Sequence, residues 1–372
     1  MNSELIALFQ QTHAEIIARL SNAGDLLDDE RAEREIRVLI NTLQRLGVAA
    51  GNVLPLELLM QYEEGMQTAA WQLNSAGVPV EVGVTLEAQT AAAGVTAGAF
   101  QRQVHIEALE ALIDGGMDDL QAAIRTAEIE AARDIRQTLN SVKADIAQGI
   151  IQGEHGRVAR ARVAKTLASN GLRSFKTIDG KWLPLDFYAA TVARTKLNDA
   201  NTQAAKNRYI ENDVTLARIE GNVDTCAVCA KYQGQVISLT GEDEGYLSIN
   251  NPDVRLPPYH PNCRDLLAPF VARLLPQKDI DAAKRKAESF DPEKDTRTKA
   301  QKAAYEKEQT LRRKANAEKK EYAKMKNLLG NDAPKSLGGF RSMKRSNSKN
   351  YRALKQRERE LTRTVSPEQG AG

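Results

Sequence analysis

The three cysteines of this 372-residue chain stand in one short stretch, Cys226-Ala-Val-Cys229 and then Cys263, and a histidine completes the second pair as His260-Pro-Asn-Cys263. A Cys-x2-Cys pair followed by a His-x2-Cys pair is what a tetrahedral Zn²⁺ site asks of a chain. Each short turn offers two donors to one side, and the segment between the pairs closes the tetrahedron. With Cys226, Cys229, His260 and Cys263 as ligands no position stays open, so the pattern reads as a structural Zn²⁺ site. The 30 residues between the pairs make the metal close a sizeable loop rather than organise a minimal finger. The competing reading is three free cysteines beside a surface histidine, with Asp224 and Asn262 marking turns. Three cysteines do not make a closed disulfide set, which points to a reducing compartment and to thiols used for metal.

Around this stretch the chain reads as mainly α with a small α+β zinc-binding module. Aromatic residues are only 5% of the chain, which favours extended helices over a sheet-rich globule. Leu5, Phe9, Ile16 and Leu20 mark a first helix. Ile36, Ile40, Leu43 and Leu46 mark a second, ending at Gly47, and Pro55 opens a third through Leu58, Met66 and Trp71. From Leu109 to Ile150 apolar or small residues recur every three or four positions. This is one helical stripe of about 60 Å if unbroken, unless Gly115-Gly116 bends it, and it needs another long helix to pack on. A coiled coil or an oligomeric ring contact fits the same stripe. Asp179-Gly180 between Phe175–Ile178 and Lys181–Leu183 signals a β-hairpin with Trp182 in its core. A helix follows over 185–207, and strands are expected at 214–219 and 235–239. The start of the chain lacks the basic, apolar layout of a signal peptide, and no run approaches a membrane span.

Charge divides the chain. Residues 276–372 hold 26 Lys and Arg against 14 Asp and Glu, leaving 26 against 35 for residues 1–275. A basic tail on an acidic body suits an anionic partner, nucleic acid or an acidic protein surface, as well as a plain solvated helix. Low hydrophobicity beside high charge predicts helices without a core of their own, folding on a partner. Three segments follow: a helical N-terminal region over 1–150, a domain with the Cys3His module over 151–275, and a helical or disordered basic tail over 276–372.

Several stretches resemble phage minor head proteins of the Mu F-like and SPP1-like head morphogenesis family, and the related minor capsid protein 2 family. They are Ile151-Gln-Gly153, Phe175 to Tyr188 with Trp182, Ala193-Arg194-Thr195, Cys226 to Cys229, Gln233 to Val236, and Leu256-Pro257-Pro258-Tyr-His260-Pro-Asn-Cys263-Arg264. Farther on, Tyr305 to Gln309, Leu311-Arg312-Arg313 and Lys355 to Glu360 resemble the charged tail of the second group. Members commonly carry another Cys where Asp265 stands here. The resemblance implies a structural virion protein acting in head morphogenesis at the portal, with portal and capsid or scaffold components as partners. It implies assembly in the host cytoplasm, no membrane, and no enzyme activity. Combined with the basic tail, it gives non-specific contact with packaged double-stranded DNA through Arg312, Arg313, Lys314, Lys319 and Lys320.

Two other functions compete. A metal-dependent nuclease would use His260 as a general base with Glu242, Asp243 and Glu244 on a catalytic metal. A zinc-dependent DNA-binding regulator would need a recognition helix beside the zinc site, where Leu266, Leu267, Pro269 and Phe270 look like core instead.

Overall fold

The computed structural model describes residues 3–84, 86, 102–150, 155–329 and 332–363. Ile151-Gln-Gly153 lies outside the described residues. Helix α1 (Glu4–Ser21) starts at Ser3, whose hydroxyl accepts the Ile6 amide at 3.2 Å. Glu57 of α2 (Asp29–Ser75) accepts the Glu4 and Leu5 amides at 2.5 and 3.2 Å. A carboxylate at that end satisfies amides with no partner inside the helix and complements the helix dipole. Asp28 opens α2 in the same manner, accepting the Arg31 amide at 2.7 Å.

Helix α2 runs unbroken through Gly47, Gly51 and Pro55, which corrects the reading of two helices parted at Gly47 and restarted by Pro55. Proline removes one amide donor and crowds the carbonyl four residues earlier, at a cost of about 3 kcal/mol. Leu46, Ala50, Leu54 and Leu58 nonetheless keep one buried stripe across it, and tertiary burial of that stripe decides the conformation. Trp71 on the same helix is 65% exposed. Helix α3 (Arg102–Ala147) likewise passes Gly115-Gly116 without a break. A Cβ at Gly116 would fall 2.9 Å from Leu54 Cδ2, so this glycine admits α2 rather than bending α3. Leu109, Leu120, Ile124, Ala127, Ala131, Ile135, Leu139 and Val142 are buried, as their spacing implies, while Ile150 beyond the helix is exposed.

Helix α4 (His155–Asn170) ends at Gly171, φ +66°, and leads into the antiparallel hairpin of β1 (Arg173–Lys176) and β2 (Trp182–Pro184). Gly180 takes φ +81° and the Thr177 amide donates to the Lys181 carbonyl at 2.8 Å. The loop is therefore longer than a two-residue Asp-Gly turn, and only its glycine needs the left-handed region. Trp182 is half-buried rather than core, with Lys176 Nζ 6.0 Å from its ring centroid. Phe175 stacks on Tyr188 at 4.8 Å instead. Helix α5 (Leu185–Ile210) packs on α2 and α3. One apolar core runs through α1 to α5, so the bundle crosses the expected boundary at residue 150.

After α5 comes a four-stranded sheet in the order β5-β4-β3-β6, made of β3 (Leu216–Glu220), β4 (Val236–Ser238), β5 (Leu247–Ser248) and β6 (Leu266–Pro269). Between β3 and β4 lies the short helix α6 (Ala227–Tyr232). Strand β6 pairs antiparallel with β3; the sequence marks it only as core. One face of the sheet packs on Ala69, Leu73, Ala205 and Tyr209 at the ends of α2 and α5. The other packs on α7 (Gln277–Glu288) through Leu216, Val236, Phe270 and Ala283.

The basic segment carries α8 (Lys299–Leu329), α9 (Leu337–Arg345) and α10 (Lys349–Arg363). Met325, Leu329, Ala333 and Phe340 are buried together, which corrects the expectation that residues 276–372 lack a core. Tyr322 and Tyr351 flank the Phe340 ring at 5.7 and 5.9 Å. Glu321 pairs with Lys344 at 2.5 Å and Lys355 at 3.3 Å, so opposite charges tie helices that have few apolar residues. Among the described residues, no helix is long and apolar enough to cross a membrane.

A close crossing of α2 and α5 gives a paired test. A Cβ at Gly65 would lie 2.9 Å from the Asn201 backbone of α5, whereas one at Gly51 would meet only Met117 Cε at 3.5 Å. Gly65→Ala is expected to lower unfolding stability by about 1–3 kcal/mol. Gly51→Ala is expected to be neutral or to raise it by up to about 1 kcal/mol through helix propensity. Chemical denaturation of both variants checks the contrast, and equal effects would refute the close-approach assignment.

Candidate metal centre and basic tail

The first ligand pair sits at the start of α6. Cys226 is its N-cap, and its sulfur accepts the Cys229 amide at 3.3 Å, so one helical turn aims both sulfurs the same way. The second pair arrives on the Pro-rich segment. Pro257 and Pro258 precede it, joined by a cis peptide bond, and the Cys263 amide donates to the His260 carbonyl at 2.8 Å in a tight turn. Asn198 of α5 donates to the Cys263 carbonyl at 3.1 Å, fastening this turn to the helical body.

His260 Nε2 lies 3.3 Å from Cys226 Sγ and 3.1 Å from Cys229 Sγ, and Cys229 Sγ lies 3.7 Å from Cys263 Sγ. Tetrahedral Zn²⁺ with Zn–S near 2.3 Å sets its sulfurs about 3.8 Å apart, so the donors stand at metal-binding separation. Cys226, Cys229 and His260 lie within 4.8 Å of one another, and so do Cys229, Cys263 and Asp265. The two triads share Cys229. Cys229, Cys263 and Asp265 are buried, while Cys226 and His260 are half-buried and form the outer rim.

The electrostatics fit a cation. The Cys229 thiol, directed at both neighbours, holds Cys226 down at about 3 and Cys263 at about 6, and its own proton is retained far above the ordinary thiol range. The Cys226 sulfur raises His260 above the usual imidazole value. Three sulfurs and an imidazole this close share protons, the kind of donor set from which a divalent ion can displace them.

Further residues frame the site, of which only Arg264 and Asp224 are marked in the sequence. Arg264 forms an ion pair with Asp224, tying the second pair back to the residues just ahead of the first. Asp265 is buried, and burial pushes its carboxyl upward. The signal for it is alternation in the lead-in to β6: Cys263, Asp265 and Leu267 are buried while Arg264 and Leu266 are exposed. Tyr232 stacks on Tyr259 at 4.3 Å beneath the site. Arg194 and Thr195 do not join this constellation. They bond back along α5, Arg194 to the Ala190 carbonyl at 2.9 Å and Thr195 to Thr191 at 2.8 Å.

Of the basic residues singled out on α8, Arg312 pairs with Glu308 at 2.8 Å and Arg313 with Glu306 at 3.5 Å, whereas Lys314, Lys319 and Lys320 are exposed. The acidic run stands apart from the metal-binding groups. Asp243 accepts from Thr215 at 2.8 Å and Ser238 at 2.5 Å, closing the turn after β4. After Arg264 the chain enters β6, not a recognition helix.

No curated protein and no solved structure matches the chain. Residues 81–365 match the family of phage minor capsid protein 2. That stretch takes in α3 to α10, the Cys/His cluster and the basic tail, and covers most of the chain; the chain belongs to the phage minor capsid protein 2 family.

Proposed function

We propose that this protein is a structural part of the phage head that joins the portal and capsid components during head morphogenesis. Its helical body makes the assembly contacts, Cys226, Cys229, His260 and Cys263 hold a structural Zn²⁺, and the basic tail meets packaged DNA. The observation that carries the structural role is family membership over residues 81–365. The zinc assignment rests on the convergence of sulfurs and imidazole around Cys229. The ion supplies a cross-link here, because four protein ligands leave it no reactive position. The DNA contact rests on the exposed Lys314, Lys319 and Lys320 of α8. The nuclease reading loses support because Asp243 is engaged by Thr215 and Ser238. The regulator reading loses support because β6 occupies the place of a recognition helix.

Assembly is tested directly by mass spectrometry of purified virions and by co-purification with portal or procapsid. The protein is expected in both. Truncation after residue 298, which keeps α7 on the sheet, is expected to leave incorporation intact and to impair packaging. Normally filled, infectious heads from a strain lacking the protein would defeat the proposal.

Elemental analysis of protein purified without chelator is expected to find about one Zn²⁺ per chain. Cys229→Ser is expected to lose the ion and raise amide exchange across residues 220–270 while α3 stays protected. Metal-free wild-type protein would sink the zinc assignment.

For DNA, changing Lys314, Lys319 and Lys320 together to Ala is expected to make the log–log salt dependence of duplex binding shallower by about 2.7, from roughly 0.9 per phosphate contact. An unchanged slope would remove these residues from the interface.

A further inference from the structure

The buried half of the metal centre contains a donor outside the Cys3His pattern. Asp265 is 7% exposed. Its Oδ1 accepts from Gln233 Nε2 at 3.2 Å, while the buried Oδ2 has no hydrogen-bond partner. The carboxylate lies within 4.8 Å of the sulfurs of Cys229 and Cys263, which are equally near each other. A carboxylate oxygen removed from water without a donor or cation is costly, by several kcal/mol on general grounds.

The side chain is also confined. Alternation in the lead-in to β6 buries Cys263 and Asp265 together. A Cβ at Gly221 would fall 2.4 Å from Asp265 Oδ1 and 2.0 Å from Gln233 Nε2, so the chain opposite leaves just enough room for this carboxylate and its amide partner. Gln233 holds one oxygen, and the carboxylate stands beside the two sulfurs. This is how an outer hydrogen bond orients a metal-binding carboxylate.

We propose that Asp265 is itself a metal ligand, giving Oδ2 to the ion held by Cys229 and Cys263. The inference rests on the metal reading of the site and extends it. The centre then offers sulfur, nitrogen and oxygen donors, a mixed set that suits a borderline divalent ion of the Zn²⁺ or Co²⁺ type better than Cu⁺. With Cys226 and His260 at the rim the ion then has five protein donors rather than four, joined through the shared Cys229, and it stays closed to substrate.

The test uses the full-length chain loaded with Co²⁺, whose visible spectrum reports its ligands, and Zn²⁺ affinity measured against a competing chelator. Asp265→Asn keeps the size and the Gln233 contact but is a poor donor. It is expected to weaken affinity at least about tenfold, since even an outer partner of a ligand is worth 10–100-fold, and to shift the Co²⁺ ligand-field bands. Asp265→Cys is expected to restore affinity and to add sulfur-to-cobalt charge-transfer absorption. Wild-type affinity and spectrum in Asp265→Asn would overturn the proposal. So would an Asp265→Cys variant that recovers neither affinity nor added sulfur absorption, because that outcome assigns Asp265 a packing role. Should Asp265→Asn fail to fold, Asp265→Cys decides alone. Wild-type protein that takes up neither ion would instead refute the metal reading itself, so the two failures are distinguishable.

Discussion

The close approach of α2 and α5 at Gly65 is the contact on which the rest of the molecule depends. Both helices run on past that crossing, and their far ends form one wall of the sheet core through Ala69, Leu73, Ala205 and Tyr209. The Tyr209 hydroxyl lies against Gln72 of α2 and 3.2 Å from the Leu267 carbonyl of β6. Strand β6 is thereby pinned to both helices, and β6 is where the second ligand pair delivers the chain. A side chain at position 65 would separate the helices by the width of a methyl group, and packed interiors do not absorb such a shift locally. Bundle and Cys/His cluster therefore form one mechanical unit.

How much of this was legible depended on which force dominated locally. Where apolar spacing set the conformation, as along α1, α3 and α5, the buried residues are those the period marks. Where a local breaker opposed a long stripe, propensity misled: Pro55 and Gly47 suggest helix ends, yet the stripe from Leu46 to Leu58 overrides them because its burial outweighs one lost amide bond. Gly115-Gly116 read as a possible bend in a helix, and the actual use of Gly116, like that of Gly65, is close packing, which only the partner helix reveals. At the site, the four spaced donors were visible because the turns that present them are short. Asp265 was not, since it sits outside that pattern and only the folded lead-in to β6 buries it beside Cys229 and Cys263.

The tail illustrates the opposite limit. Charge density hid a core because that core is small and shared among three helices. Met325 and Leu329 stand one turn apart on α8, but Phe340 on α9 and Tyr351 and Leu354 on α10 complete the cluster, so no single helix carries an apolar face long enough to stand out against its charge. Cross-helix ion pairs at Glu318, Glu321 and Glu358 supply the remaining cohesion. Each is worth little alone at the surface, but several sharing partners lose less side-chain freedom per pair. The same pairing leaves Lys314, Lys319 and Lys320 free to face outward, which is how a tail with abundant acid can still present a basic surface.

Tail and Cys/His cluster also meet. Helix α6, which carries Cys226 and Cys229, anchors the segment leading to α8: Thr296 donates to the Ala230 carbonyl at 2.8 Å and Lys231 to the Pro292 carbonyl. Arg297 then packs 5.3 Å from the Tyr305 ring at the start of α8. These anchors are few, and each lies within a few residues of a ligand. Six residues of helix in isolation are far below the length that is stable in water, so α6 owes its shape to what holds its two sulfurs. Whatever fixes Cys226 and Cys229 against His260 and Cys263 also fixes where α8 leaves the body, and hence which way its exposed lysines point.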